Sequence, residues 1–203
     1  MSRPAVVVCF FEDIAQEKFI TTLVQRAAQQ VRISIRIEVR NAIRGSHVWN
    51  ELQDYLRDLR SRVEPLPDVL VVVIDGNCKK ASQVRREIQS RVRQLVLPLP
   101  QECVVCAIPD PHIERWYLED QQAFSQAIPN AQARKLRYKC ERDRYKMALY
   151  EAILASGVEP LLGGAEYGND IASRLDPQRL DRSFQKFWGE LVRAFRALNV
   201  SGE

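Results

Sequence analysis

Nothing in the 203 residues spells a P-loop, a G-x-G-x-x-G, an H-E-x-x-H or a G-x-S-x-G, which removes the usual nucleotide, zinc and serine-hydrolase signatures. Cysteine is sparse and odd in number, five, with no regular spacing, so disulfides are not expected and a reducing compartment is. Cys103 and Cys106 form a lone C-x-x-C inside ECVVCAI, which reads as a strand. Period-two geometry would send the two thiols to opposite faces, against a shared zinc or redox pair. No apolar run is long enough to span a membrane, and MSRPAVVVCFFED has no signal-peptide cleavage pattern. The expectation is a cytoplasmic protein with no membrane contact. Repeats and low-complexity tracts are absent as well. Neither sign of charge dominates, with 30 Lys and Arg against 26 Asp and Glu and a net charge of +4. That balance is compatible with a nucleic-acid partner without demanding one.

What the chain does contain is a set of buried-looking strands that end in acids. Val69 to Ile74 is continuously apolar and mostly β-branched, the pattern of a parallel strand covered on both faces. Asp75 sits at its carboxyl end, followed by Gly76 and Asn77, with Lys79 and Lys80 close behind. Ala5 to Phe11 is a second such run, and it ends at Glu12 and Asp13. Asp13 is a ready N-cap with Gln16 three residues on for a capping box, whereas Glu12 has no such local use. Glu17, a turn further, projects from the same helix end. Asp75 also admits a plain reading, as the cap of the helix that follows.

The rest of the chain reads as alternating strands and helices, then helices alone. A helix is expected from Ile14 through Gln30, an alternating strand with one wet face at Val31 to Val39, and a helix from the cap Ser46 to Val63. Another helix is expected over Ala81 to Leu95, where Arg85, Arg86, Arg91 and Arg93 read as a solvated face, and a fourth strand over Cys103 to Ile108. In PDPHIERWYLED, Asp110 before Pro111 is a good N-cap for a helix that carries Glu114, Glu119 and Asp120. Ile113, Trp116 and Tyr117 form its packing face. Glu114 borders that face and the strand-end crevice, although a solvated acid is the plainer reading. Helices are expected over Lys139 to Ser156, Ala165 to Leu175 and Leu180 to Leu198. The aromatics of the last read as core, and Lys139, Arg142, Arg144 and Lys146 form a basic cluster at the start of the first.

The fold class that follows is α/β, a mainly parallel four-stranded sheet flanked by helices over residues 1–120, with a helical extension over 121–203 packed on the same domain. Acids from several strand ends repel one another unless a cation sits among them, so convergence of Glu12, Asp75, Asn77 and Glu114 predicts Mg²⁺ or Mn²⁺. Such an ion activates water and clamps an in-line phosphoryl displacement.

The order FFED-x-A-x-E, VVVIDGN and AIPDPHIERWYLED resembles the small free-standing Toprim-like proteins and, more loosely, the Toprim half of the OLD-family (overcoming lysogenization defect) nucleases. That resemblance implies a Toprim-like, Rossmann-like fold and divalent-metal-dependent cleavage of nucleic acid, DNA before RNA. It further implies an ABC-type ATPase encoded nearby, in an anti-phage or mobile-element setting, and admits a homodimer. Carried over residue by residue, Glu12 becomes the general acid or base or a metal ligand, Asp75 the main ligand and Glu114 a further one. From the residues themselves, Lys79 beside the acids serves a phosphate or leaving oxygen or only neutralises local charge, and Lys80, Lys139, Arg142 and Lys146 are candidate nucleic-acid contacts, with a solvated face as the plain reading of the cluster. Asp13, Glu17 and Asp120 are secondary candidates. Asn77 stands where the family pattern usually has a second Asp, and Asp13 where a Gly commonly follows the first Glu. These departures leave open a single metal, compensation by Asp13, or a site kept only for binding. Two alternatives to a nuclease remain: a non-catalytic adaptor on the same scaffold, and phosphoryl chemistry on a small nucleotide.

Overall fold

Four strands pair in the order β2-β1-β3-β4, all parallel, from β1 (Ala5–Phe11), β2 (Ile35–Asn41), β3 (Val69–Val73) and β4 (Val104–Ala107). The computed structural model describes residues 3–141 and 143–200. Eight α-helices lie among them: α1 (Glu17–Val31), α2 (Val48–Ser61), α3 (Ala81–Gln94), α4 (Ile113–Glu119), α5 (Gln121–Ala127), α6 (Arg144–Leu154), α7 (Gly168–Arg174) and α8 (Arg182–Val200). The result is an α/β, Rossmann-like sheet flanked by helices, as the apolar runs predict. No helix among the described residues is long and apolar enough to cross a membrane.

Strand alternation sorts the core into two layers. Val7, Cys9, Phe11, Val69, Val71, Val73, Val105 and Ala107 face one side, under α1 and α4 to α8. Val8, Phe10, Leu70, Val72, Ile74, Val104 and Cys106 face the other, under α2 and α3. Every strand residue of β3 is inaccessible to solvent, which is why its sequence lacks alternation. β2 is an edge strand: Ile35, Ile37 and Val39 pack on the first layer, while Arg36 and Arg40 alternate with them. Phe184, Phe187 and Phe195 are fully buried; Trp116 meets Phe184 edge to face at 5.0 Å and stacks on Phe187 at 5.9 Å. These aromatics are core, as their spacing implies.

Several local expectations are corrected. The strand expected at Val31 starts at Ile35, because α1 runs on to Val31 and closes on Arg32 in the left-handed region (φ 62°). Ser46 lies inside a 3-10 turn and caps nothing; the Glu51 carboxylate instead accepts from the Ile43 and Arg44 amides at 2.6 and 3.2 Å. Asp110 is not an N-cap, since α4 begins two residues after Pro111, past a cis Asp110–Pro111 bond, with His112 at the cap position. α6 starts at Arg144 rather than Lys139, and residues 131–141 have no regular structure. The short α5, with only Ala123 and Phe124 buried, carries too little periodicity to be expected.

Cysteine chemistry is corrected too. Cys78 and Cys140 are joined by a disulfide, their Cα atoms 5.5 Å apart. The odd count hid a pair 62 residues apart, whose partnership only the tertiary fold creates. Cys103 and Cys106 are free, and both pack in the same layer, because Cys103 belongs to a 3-10 turn before β4, where period two does not apply. Arg85 is buried rather than solvated. It pairs with Glu190 of α8 and donates to the Cys106 carbonyl at 3.1 Å, covering the outer edge of β4.

Candidate functional site at the sheet's switch point

β1 connects outward to β2 on one side, and β3 to β4 on the other, so the chain reverses direction between β1 and β3. A crevice beyond the carboxyl ends at such a reversal is where open α/β sheets bind ligands. The strand ends are level there, with Phe11 opposite both Asn41 and Val73, and Val73 opposite Ala107. Glu12 therefore emerges beside the end of β3. Its Oε2 accepts the Asp75 amide N–H at 2.7 Å.

Asp75 is held on both oxygens, Oδ1 by Gln16 Nε2 at 2.8 Å and Oδ2 by His112 Nδ1 at 3.2 Å. Its side chain is 14% exposed. Gly76 lets the turn that follows approach the Asp110 backbone, since a Cβ there would lie 3.2 Å from Asp110 Cα. Amides of Gly76 and Asn77 bond the carbonyls of Pro109 and Pro111 at 2.6 and 3.0 Å, tying this turn to the entry of α4.

Burial and crowding set the charges. Burial, then the neighbouring Asp75, lifts the Glu12 carboxyl to about 7, against the Asp75 amide bond and an Asn77 side-chain contact that favour its charge. Burial raises Asp75 as well, opposed first by the His112 hydrogen bond. His112 is raised chiefly by that bond. Glu114 is raised by burial and by Asp75, with Lys146 and His112 pulling the other way. Asp75 is thus the group through which Glu12, His112, Glu114 and Lys146 are electrostatically linked. Glu114 Oε2 is buried without a hydrogen-bond partner.

The other expected residues divide. Asn77 is exposed, in the left-handed region (φ 46°), with its amide 3.4 Å from the Asp75 carbonyl. Asp13 forms the expected capping box with Gln16. Glu17 turns away to accept from Asn41 at 3.0 Å. Asp120 is 2% exposed and serves as a structural cap: it accepts from the Gln122, Ala123 and Asp176 amides at 3.2, 3.2 and 2.9 Å, so the secondary site role does not fit it. Lys79 and Lys80 are exposed just past Asp75. Lys139 is ion-paired to Glu141, and Arg142 lies outside the described residues. Gln16 and His112, the two residues that grip Asp75, carry no site signal of their own in the sequence. Their only hint is position, each within four residues of a strand-end acid or its counterpart on α4.

The oxygen donors suit a hard cation in kind, and the unpartnered Glu114 oxygen and the crowded Glu12–Asp75 pair suit one electrostatically. They are not gathered: among the described residues no three His, Cys, Asp or Glu side chains form a group that holds a metal. Glu12 and Asp75 meet through a hydrogen bond, and Glu114 on α4 feels the Asp75 charge. Compared with protein-family models, with curated proteins and with solved structures, the chain finds no match.

Proposed function

We propose that the crevice beyond β1 and β3 binds Mg²⁺ or Mn²⁺ and hydrolyses phosphodiester bonds of nucleic acid, in the manner of the Toprim-like proteins the sequence resembles. The observation that supports this is the direct contact of the Glu12 carboxylate with the Asp75 amide, which sets two partly buried acids side by side at the switch point. Glu12 and Asp75 would hold the ion, with Asn77 and Glu114 as supplementary oxygen donors. A cation held there supplies an activated water and a Lewis acid for a phosphoryl oxygen.

The chain's own residues supply the rest. Gln16 and His112 fix the orientation of Asp75. His112 Nδ1 faces Asp75, so its ring is placed to hold or pass a proton. Lys79 and Lys146 place positive charge around the crevice, where a phosphate or a leaving oxygen is stabilised.

Purified protein should degrade labelled DNA or RNA oligonucleotides with Mn²⁺ or Mg²⁺ and fall silent in EDTA. Asp75→Asn and Glu12→Gln should each lower the rate by about 10²–10⁴-fold. Equal rates in parent and variants, or undiminished cleavage in EDTA, would remove the assignment.

A second reading, a non-catalytic adaptor for a partner ATPase, is favoured by one observation: both Asp75 oxygens are already engaged by Gln16 and His112. It predicts no metal-dependent hydrolysis, together with co-purification of the chain with the ATPase encoded beside it.

A further inference from the structure

Two cavities sit side by side along α6 and share Met147. The first, about 370 Å³, adjoins the crevice and is lined by Asp13, Glu114, Tyr117, Lys146 and Tyr150, with Leu162 on its rim. Its walls are mixed, aromatic and aliphatic side chains with the Glu114 carboxyl and the Lys146 ammonium among them. The second, about 460 Å³, is a groove between α6 and the irregular segment, lined by Arg134, Lys135, Arg137 and Arg144 against the single acid Glu151.

Arg134, Lys135 and Arg137 are exposed cations within four residues, on a stretch with no regular structure. Two attachments hold that stretch in place. Tyr138 bonds the Asp110 carboxylate at 3.2 Å, with Arg115 over its ring at 5.1 Å. Cys140 is joined to Cys78, three residues beyond Asp75. The basic segment is thereby fastened to the very turn that carries the crevice acid.

We infer that this chain takes single-stranded nucleic acid, with the phosphate backbone lying along the Arg134–Arg137 groove and an unstacked base entering the Tyr150 and Met147 cavity beside Glu114. The inference rests on the phosphodiester reading for its substrate class and deepens it. A cationic track beside an aromatic-walled recess is the combination that binds single strands, since every base has a face to stack and every phosphate a charge to neutralise. A base in a duplex is stacked and paired, and does not reach a recess of this kind without being extruded.

Binding is measured in EDTA, where hydrolysis plays no part, by the fluorescence anisotropy of a labelled 12-nucleotide single strand and of the same sequence as duplex. The single strand should bind at least tenfold tighter. Its log affinity should fall with log salt, and Arg134→Ala with Lys135→Ala and Arg137→Ala should flatten that slope by about 2, at about 0.7 per lost phosphate contact. Tyr150→Ala should weaken binding about tenfold and leave the slope unchanged, an outcome that loss of the fold would not give. Equal or tighter binding of duplex, or a salt slope untouched by the triple variant, would overturn the inference. No binding of either strand in EDTA would overturn it too. Binding that behaves as expected in a protein that cleaves nothing would leave this inference standing while the hydrolytic reading fell.

Discussion

Glu12 keeps its proton into the neutral range because burial and Asp75 both oppose its charge, lifting it from 4.5 to about 7. A carboxyl raised in the folded state gives its full stability below the unfolded value and loses it as pH climbs through the folded one. His112, Asp75 and Glu114 are raised as well, so all four act in the same direction. In chelator, the parent should lose thermal stability as pH rises from about 5 to 8. Glu12→Gln removes one part of this: at pH 8 its Tm should exceed the parent's by about 2–4 °C, the equivalent of roughly 1 kcal/mol after discounting for solvent screening. At pH 4 the two should coincide. Identical Tm differences at both pH values would show that Glu12 is not the titrating group. At this scale the acids were legible because each follows a buried apolar run. Gln16 was legible only as half of a capping box, and His112 not at all, because its partner Asp75 is 37 residues away and no spacing rule joins them.

Among the elements, β1 and β3 were readable to within a residue or two because both faces are covered and their sequences are uninterrupted by polar positions. The start of β2 was misplaced because Val31 and Ile33 continue the alternation while the backbone is still helical or turning; both are partly buried beside the strand's inner face. The sequence extends α6 too far toward its amino end because Lys139 to Asp143 is as polar as a helix surface, and nothing local signals that a disulfide and a tyrosine hydroxyl hold residues 138–141 irregular. α7 shows a requirement that only tertiary packing reveals. A Cβ on Gly168 would stand 2.5 Å from the buried Tyr117 hydroxyl, itself bonded to the Ala15 carbonyl at 3.1 Å, and 3.1 Å from the Phe19 backbone nitrogen. Gly168→Ala should therefore destabilise the protein by about 1–3 kcal/mol despite alanine's better helix propensity, as denaturant titration would show. A neutral or stabilising result would mean that α7 shifts freely against α1.

For the molecule as a whole, the helices after residue 120 complete one layer of the core: α1 packs against α7 and α8, and the buried aromatics of α8 meet Trp116 of α4. The layered architecture was legible from the strand runs, whereas the link between the crevice and the basic segment was not, since it is made by Cys78 and Cys140 at the surface. Cys78→Ser, or reduction of the parent, should leave the sheet intact and cost about 2 kcal/mol, with faster amide hydrogen exchange confined to residues 131–141 and the turn at 76–80. Exchange unchanged in that segment would show that the bond does not hold it. Whether a cation sits between Glu12 and Asp75, as proposed, is read from the anomalous scattering of a crystal soaked in Mn²⁺. The expected result is a single strong peak at coordination distance from both carboxylates, with the Gln16 or His112 contact to Asp75 displaced. A peak elsewhere, or none while Gln16 and His112 keep their hold on Asp75, would contradict it.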